Sequence, residues 1–395
     1  MINRRDVFRA VAAEGLAFWS GPAFGQSQPQ GTDEQDTADG QPMVQADERV
    51  NQVLAPVRDE HHLPGLIGAI LTGHKLAAIG ALGIRKIGSP ELIRVTDEVH
   101  LGSCTKAMTA TVIGMLVEEG KLAWGSTIRD VFPDVAAKLD PQFQGATLSH
   151  LLTHRAGLPH DGPWWQLPGR TTTQKRRALL TTMLKNAPAN RPGSTYAYSN
   201  AGYVLAGLMA EQVSGESWEM LMRRRLFEPL GMASAGFGSP GRPGKVNQPW
   251  GHHLVRDRVE PTQQDNAPAM GPAGTVHCSV PDWAKFAALH LEGKQGKAKL
   301  LKPSTIRALH TPPPGQQYAG GWFVFEASWA RGLALNHKGS NTSWYVSIWL
   351  APVANFAILV ATNQGGKPAE TACDQAFTEL IKALPYLTQP KRRRR

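Results

Sequence analysis

The stretch Ser103-Cys104-Thr105-Lys106 begins an apolar, helix-forming run in this chain of 395 residues. Side chains three residues apart share one face of a helix, so the Lys106 amine is expected to touch the Ser103 hydroxyl. Ser103 is the only serine in the sequence with a lysine at this offset. A serine hydroxyl is a weak nucleophile at neutral pH and becomes reactive when a base lies within hydrogen-bond reach. The stretch therefore predicts a helix whose first turn carries an activated nucleophile.

Two further motifs follow in order, Tyr198-Ser199-Asn200 and then His337-Lys338-Gly339. Each motif is weak evidence alone, but the ordered set resembles the penicillin-recognising serine hydrolases. These are the class C β-lactamases, the D-alanyl-D-alanine carboxypeptidases and the esterases that share their fold. In that family the motifs are Ser-x-x-Lys, Tyr-x-Asn, and Lys-Thr-Gly or His-x-Gly, and class A enzymes carry a related set. The likeness spans roughly residues 47–385.

The resemblance implies catalytic roles for three side chains. Ser103 would be the nucleophile, Tyr198 a proton shuttle and Lys106 its activating partner. Both bases have ordinary pKa values near 10, so burial and neighbouring charge must lower at least one of them. Either could be the true base, because protons in such a cluster belong to a coupled set. The backbone N–H groups of Ser103 and Ser340 would stabilise the oxyanion.

The remaining motif residues are expected to bind substrate. Asn200 would hydrogen-bond both Lys106 and a substrate amide, and Gly339 would leave the strand edge open to substrate. His337 stands where class C enzymes have lysine, which favours a carboxypeptidase or esterase over an efficient β-lactamase. Lys338 would attract a substrate carboxylate, unless strand alternation places its side chain on the face opposite His337.

The hydrophobic pattern predicts an α+β chain, in which an antiparallel sheet is flanked by N- and C-terminal helices and interrupted by a large, mainly helical insertion. The resemblance implies that this is the β-lactamase/transpeptidase-like fold. The catalytic domain is expected over residues 47–387, with an α/β part at 47–100 and 320–387 and a helical part at 101–319. The predicted helices and strands of the α/β part are a helix over 47–62, strands over 66–71, 76–84, 322–326, 332–337, 344–351 and 356–362, and a helix over 370–384.

Both ends of the chain are expected to lie outside the folded domain. Residues 1–25 carry Arg4-Arg5, an apolar stretch and a small-residue site, which together resemble a twin-arginine export signal. This predicts a periplasmic or secreted protein, although an ordinary amphipathic N-terminal helix is the alternative. Residues 26–46 are expected to be a flexible linker and residues 388–395 a solvated basic tail. The sequence has no apolar run of about 18 residues, so no transmembrane segment is expected in the mature chain.

The sequence predicts neither a metal site nor another cofactor. The three cysteines are widely spaced, which favours small buried residues over a disulfide framework or a metal cluster. His150 and His154 have the spacing of a metallo-hydrolase motif, but Leu151 stands where the glutamate would be, so packing roles are favoured. An α/β-hydrolase is excluded because no serine lies in a Gly-x-Ser-x-Gly motif.

The charge distribution argues against a specific nucleic-acid partner. The net charge is +10, and half of it comes from the five basic residues at 391–395. The basicity is therefore concentrated at one end of the chain instead of lining a groove. The sequence leaves the oligomeric state open.

These observations predict an exported serine hydrolase that cleaves an amide or ester bond through an acyl-enzyme on Ser103. It would act on a small-molecule or peptide substrate, with at most weak β-lactamase activity. The alternative is a non-catalytic module of the same fold that binds peptidoglycan fragments. Trp164-Trp165 and the turn Gly271-Pro272-Ala273-Gly274 are candidates for walls of the substrate cleft, and mutual burial of the two tryptophans in the helical part is an equal alternative.

Overall fold

The structure, a computed structural model, describes residues 44–389 apart from 257, 295 and 297–299. The predicted export signal, all but the end of the predicted linker, and the charged part of the basic tail lie outside the described residues. Among the described residues, no helix has both the length and the apolar character needed to span a membrane.

The first elements follow the sequence pattern closely. Helix α1 (Glu48–Glu60) starts at Asp47, whose carboxylate accepts a hydrogen bond from the backbone N–H of Arg49. The remaining helices are α2 (Thr105–Glu118), α3 (Ile128–Val131), α4 (Pro133–Ala136), α5 (Pro141–Gln144), α6 (Leu148–Leu152), α7 (Thr172–Met183), α8 (Asn200–Ser214), α9 (Trp218–Met222), α10 (Glu228–Leu230), α11 (Gly271–Gly274), α12 (Val280–Lys294), α13 (Pro303–His310) and α14 (Lys367–Leu387). The strands are β1 (Gly65–Thr72), β2 (Lys75–Gly83), β3 (Glu98–His100), β4 (Gly236–Phe237), β5 (Gly251–Val255), β6 (Arg258–Thr262), β7 (Val276–Ser279), β8 (Phe323–Ala327), β9 (Gly332–Ser340), β10 (Tyr345–Ala351) and β11 (Phe356–Thr362).

The main sheet has six antiparallel strands in the order β2-β1-β11-β10-β9-β8. It joins strands from both ends of the domain, because β1 pairs with β11 and places Ile70 beside Ile358. Helices α1 and α14 pack together on one face, where Leu54 and Phe377 belong to the same apolar core. The α+β architecture with flanking terminal helices is therefore confirmed.

The nucleophile helix α2 is buried on all sides. The sequence predicts an apolar stripe along this helix, but every residue from Thr105 to Leu116 is buried. Helix α2 lies between α8, α11 and α13, and Gly114 leaves room for the Thr305 methyl group of α13. A helix at the centre of the domain positions its first turn rigidly, because close packing leaves its side chains little space to shift.

The insertion between the two parts of the main sheet contains strands that the sequence pattern does not reveal. Strands β3, β7 and β4 form a small sheet, and β5 pairs with β6 in a hairpin. These strands are two to five residues long, which is too short for an alternating pattern to stand out. The mainly helical prediction for residues 101–319 is therefore incomplete.

All three cysteines lie within the described residues, and each is buried and free. The expectation of small buried residues is confirmed. The thiol of Cys104 beside the nucleophile contacts the carbonyl oxygen of His337 at 3.5 Å. Burial raises the pKa of this thiol, so Cys104 is not a competing nucleophile.

Candidate active site

The structure brings together the three side chains that the sequence assigns to catalysis. Ser103 lies in a 3-10 turn, Gly102–Cys104, that leads directly into α2. Its Oγ accepts a hydrogen bond of 3.0 Å from Lys106 Nζ and one of 2.8 Å from the Tyr198 hydroxyl. The Lys106 amine and the Tyr198 phenol, which come from distant parts of the chain, therefore both contact the Ser103 hydroxyl oxygen.

Two glycines let the nucleophile turn approach strand β9. Gly102 has φ +48°, and a Cβ added there would lie 2.4 Å from the backbone N of Ser340. A Cβ added at Gly339 would lie 2.0 Å from the carbonyl oxygen of Leu101. Gly339 therefore makes room for the turn that carries Ser103, and the expectation that it leaves space for substrate is corrected. The backbone amide of Ser340 borders the same turn, as an oxyanion donor must.

Lys106 is fully buried and has three hydrogen-bond acceptors around its amine. Besides Ser103 Oγ, these are Asn200 Oδ1 and the Ala273 carbonyl oxygen, each at 2.8 Å. Burial lowers the pKa of Lys106 to about 7, although the neighbouring Cys104 and Asp161 act in the opposite direction. The amine is therefore divided between its neutral and charged forms at neutral pH.

The Tyr198 phenol stays protonated in this environment. Burial raises the pKa of Tyr198, although its hydrogen bond to Ser103 acts in the opposite direction. Its ring packs against the His154 ring with centroids 4.3 Å apart, and Lys106 Nζ lies 4.8 Å from the centroid of the phenol ring. Desolvation disfavours the charged phenolate, so the phenol keeps its proton at neutral pH.

The segment that carries Tyr198 is held by His154, one of the two histidines flagged in the sequence. His154 Nδ1 accepts a hydrogen bond of 3.1 Å from the Ser199 backbone N–H, and its carbonyl accepts one of 2.8 Å from Ala197. Burial lowers the pKa of His154 well below its ordinary value, so the ring is neutral. His150 caps α6 by accepting a hydrogen bond from Thr147. The packing roles expected for both histidines agree with these contacts.

Sequence reasoning missed Asp161, which lies next to Asn200. Asn200 Nδ2 donates to Asp161 Oδ1 at 2.8 Å, so one of its two amide N–H groups is occupied. Asp161 also accepts hydrogen bonds from His160 Nδ1 at 2.6 Å and Trp164 Nε1 at 3.1 Å. Burial would raise the pKa of Asp161, but its hydrogen bonds outweigh that effect and hold the pKa below its ordinary value. The residue belongs to none of the three motifs, so the sequence carries no direct signal for it.

His337 is buried as a neutral ring. Its Nδ1–H donates to the Lys338 carbonyl at 2.7 Å, so Nε2 is the acceptor, and it lies 3.0 Å from the Tyr318 hydroxyl that donates to it. Burial lowers the pKa of His337 to about 3, and the charge of Lys106 acts in the same direction. His337 therefore brings no positive charge to the site at neutral pH.

Lys338 lies on the other face of β9 from His337. Its Nζ forms ion pairs with Asp374 at 2.8 Å and Glu370 at 3.5 Å, both on α14. Successive side chains of a strand point to opposite faces, which explains the separation. The prediction that Lys338 binds substrate is therefore wrong.

The two segments proposed as cleft walls have different environments. The turn at 271–274 forms helix α11, which is buried at every position and supplies the Ala273 carbonyl to Lys106. Trp164 donates to Asp161, whereas Trp165 is 70% exposed. Trp164 is half-buried and Trp165 is exposed, so the paired tryptophans do not bury each other.

A buried arginine supports the backbone that precedes Ala273. Arg176 is fully buried and donates to the carbonyl oxygens of Pro268 and Ala269, each at 3.1 Å. Its charge is balanced by Glu211 at 2.6 Å and by Glu219. This cluster holds the segment that leads into α11 and so fixes the carbonyl that contacts Lys106.

A second polar cluster ties the nucleophile turn to the end of β9. His100 Nδ1 accepts a hydrogen bond of 3.1 Å from the Gly102 backbone N–H, and its Nε2 lies 2.9 Å from Asp265 Oδ1. Asp265 also accepts a hydrogen bond of 3.0 Å from Asn341.

Among the described residues, no three His, Cys, Asp or Glu side chains are arranged to bind a metal ion.

Comparison with known proteins gives one family for nearly the whole domain. The model of the Beta-lactamase family matches residues 50–380. Penicillin-binding protein 4 of Amycolatopsis lactamdurans is 26% identical over 353 residues, which cover 85% of this chain and 89% of that protein. Unguisins hydrolase ungD' of Aspergillus campestris is 24% identical over 344 residues, which cover 80% of this chain and 61% of that protein.

Solved structures share the fold. The octameric penicillin-binding protein homologue from Pyrococcus abyssi superposes with a TM-score of 0.71 at 24% identity, covering 85% of this chain and 77% of that chain. SurE superposes with a TM-score of 0.70 at 23% identity, covering 87% of this chain and 76% of that chain. The β-lactamase/transpeptidase-like fold expected from the sequence is therefore confirmed.

Proposed function

The chain belongs to the Beta-lactamase family, whose members are generally serine hydrolases, and we propose that it cleaves an ester or amide bond through an acyl-enzyme on Ser103. The observation that carries this proposal is the contact of Ser103 Oγ with both Lys106 Nζ and the Tyr198 hydroxyl, at 3.0 and 2.8 Å. Penicillin-binding protein 4 and the unguisins hydrolase are relatives at low identity; the first is named for binding penicillin and the second for hydrolysis.

Lys106 is the proposed base for acylation. In its neutral form the amine has two N–H groups and one lone pair. The carbonyl oxygens of Asn200 and Ala273, each at 2.8 Å, accept the two N–H groups, so the lone pair is directed at Ser103. The Ser103 proton moves to Lys106 while Oγ forms a bond to the substrate carbonyl carbon. The backbone N–H groups of Ser103 and Ser340 are the proposed donors to the oxyanion.

Tyr198 is the proposed proton donor to the leaving group. The bond between the carbonyl carbon and the leaving oxygen or nitrogen breaks as that atom takes the phenol proton, and the Lys106 ammonium returns a proton to the phenolate. Water then attacks the acyl-enzyme, with the same two groups acting in reverse, and releases a carboxylic acid. Protons and charges balance over the two steps without a cofactor.

The charges around Ser103 favour an esterase-like substrate class. Of the two basic residues in the third motif, His337 is neutral and Lys338 is paired with Asp374. The ionised Asp161 is bound to Asn200, which in turn contacts Lys106, so it adds a negative charge near the site. Penicillins and D-Ala-D-Ala peptides carry a free carboxylate on the leaving-group side. A substrate without that carboxylate therefore suits the charges of this site better.

A hydrolysis panel tests the proposal. We expect turnover of p-nitrophenyl esters, little turnover of D-Ala-D-Ala peptides and weak turnover of nitrocefin, all lost in Ser103→Ala. Mass spectrometry after fluorophosphonate treatment should find the adduct on the peptide that contains Ser103. A folded protein with no adduct and no turnover would contradict the hydrolase and favour a binding module for peptidoglycan fragments.

Export is a separate part of the proposal, supported by Arg4-Arg5 and the apolar stretch that follows. We expect the wild-type chain in the periplasmic or secreted fraction. The double variant Arg4→Lys, Arg5→Lys should stay in the cytoplasm, because a twin-arginine receptor recognises the guanidinium pair. Equal fractionation of both chains would contradict this route.

A further inference from the structure

We propose that Asp161 is a positioning residue of the hydrolase site, which fixes the orientation of the Asn200 amide and thereby directs the Lys106 amine at Ser103. The inference rests on the proposed function and extends it to a residue outside the three motifs. It is carried by a continuous chain of contacts from Asp161 through Asn200 and Lys106 to Ser103.

The first step is the orientation of the Asn200 amide. Its Oδ1 accepts from Lys106 at 2.8 Å and its Nδ2 donates to Asp161 at 2.8 Å. An amide rotated by half a turn would place N–H donors against the Lys106 amine and a carbonyl oxygen against the Asp161 carboxylate. Both contacts would then be repulsive, because an ionised carboxylate only accepts hydrogen bonds and the lysine N–H groups only donate. Asp161 therefore selects the orientation in which Asn200 accepts a Lys106 proton.

The second step is the direction of the Lys106 lone pair. With Asn200 Oδ1 and the Ala273 carbonyl each occupied by one N–H, the third position of the neutral amine faces Ser103 Oγ at 3.0 Å. Without Asp161, the Asn200 amide can rotate and offer a donor in place of an acceptor. The amine then loses one of the two contacts that orient it, and the lone pair is no longer held toward the nucleophile.

The third step concerns charge. Among the described residues, the other titratable groups that face Lys106 all have pKa values shifted by burial toward their neutral forms; they are Cys104, His154, Tyr198, Tyr203 and His337. Asp161 is ionised, so it is the charged group in this set. Its negative charge favours the ammonium form and opposes the lowering of the Lys106 pKa by burial.

Asp161 is itself held in place by two donors besides Asn200. His160 Nδ1 lies 2.6 Å from Oδ2, and Trp164 Nε1 lies 3.1 Å from Oδ1. His160 is thus the titratable group that faces Asp161 from its own segment. The Asp161 side chain is 48% exposed, so solvent screens its charge and its effect on Lys106 is moderate.

Two substitutions separate the hydrogen bond from the charge. Asp161→Asn keeps an acceptor for Asn200 and removes the charge, whereas Asp161→Ala removes both. Asp134→Asn is the matched control, because Asp134 pairs with Arg177 on the surface, where its side chain is 58% exposed. The measurement is kcat/KM for p-nitrophenyl acetate from about pH 5 to about pH 9.

In the wild-type protein the acid limb should report loss of the Lys106 proton. For Asp161→Asn we expect the midpoint of this limb to lie about 0.5–1 pH unit lower, with little change in the plateau. The shift is of this size because the Asn200 amide separates the two charges and the effective dielectric constant near the surface is high. Asp161→Ala should show the same shift and a plateau lower by about 10-fold or more, because the lone pair is misdirected. Asp134→Asn should follow the wild-type profile. An unmoved limb in both Asp161 variants, with an unchanged plateau in Asp161→Ala, would overturn the inference.

A readout without turnover separates this inference from the proposed function. The pKa of Lys106 is followed by the ¹³Cε resonance of labelled lysine, assigned by comparison with Lys106→Arg. A lower pKa in Asp161→Asn supports the inference, and an equal pKa in both proteins overturns it. If the wild-type protein neither hydrolyses esters nor forms a Ser103 adduct, the proposed function fails and the resonance still decides the role of Asp161.

Discussion

Replacing Gly339 with alanine tests how the fold positions the nucleophile. The added methyl group would lie 2.0 Å from the Leu101 carbonyl oxygen and 3.0 Å from the Cys104 backbone nitrogen. Both atoms belong to the backbone of the turn that carries Ser103, so no flexible side chain can move to relieve the overlap. Either β9 or the nucleophile turn must shift.

The size of the shift follows from the overlap. A carbon and a carbonyl oxygen approach to about 3.3 Å at the closest, so one of the two segments must move by about 1.3 Å. Misplacing a reacting group by about 1 Å costs about 100-fold in rate, and kcat/KM for an ester should fall by about that factor. Overpacking of this kind lowers the free energy of unfolding by about 1–3 kcal/mol, which a domain of this size should tolerate.

The assay compares Gly339→Ala with Gly125→Ala. A Cβ at Gly125 has no neighbour within 4 Å, so this variant should keep wild-type activity and stability. Ester hydrolysis and the rate of fluorophosphonate labelling at Ser103 are measured together with thermal unfolding. We expect both rates to fall in Gly339→Ala while the protein remains folded. Wild-type rates in Gly339→Ala would refute the argument that this contact places Ser103.

Three further outcomes follow from the structure. The wild-type kcat/KM should rise with pH through about 7 as Lys106 loses its proton, and Lys106→Arg, which stays protonated, should lower kcat/KM by about 100-fold or more; a flat pH profile would argue against a lysine base. Trp165→Ala should change the relative rates on different esters more than it changes stability, because the indole is 70% exposed; an equal loss on every ester together with a lower Tm would contradict this. Arg176→Met should lower the free energy of unfolding by about 3–5 kcal/mol in urea denaturation, because it leaves Glu211 buried without its partner, and a change below about 1 kcal/mol would be inconsistent with a buried ion pair.

The sequence was sufficient for the fold class and for the ordered motifs. The helix over 47–62, the strands of the main sheet and the last helix are each long enough for their hydrophobic period to be recognised. The short strands β3, β4 and β7 were missed because two to four residues carry no measurable period. Their formation depends on partners that are distant in the sequence.

The three side chains proposed for catalysis were predicted from the sequence, whereas the rest of the candidate site and its geometry were predicted only in part. Ser103, Lys106 and Tyr198 meet as expected, and Asn200 contacts Lys106. The sequence left open which of Lys106 and Tyr198 is the base, because both ordinary pKa values lie near 10. Their burial lowers the pKa of the amine and raises that of the phenol, and this difference favours Lys106.

The identity and order of the reacting groups can be read from the sequence, since a serine and a lysine three residues apart on a helix share one face. Their surroundings depend on the folded chain. It paired Lys338 with Asp374, used Gly339 to admit the Leu101 carbonyl and placed Asp161 behind Asn200. The physical reason is that desolvation, hydrogen-bond direction and steric fit depend on atoms from segments that are remote in sequence, and no local pattern encodes which of them will meet.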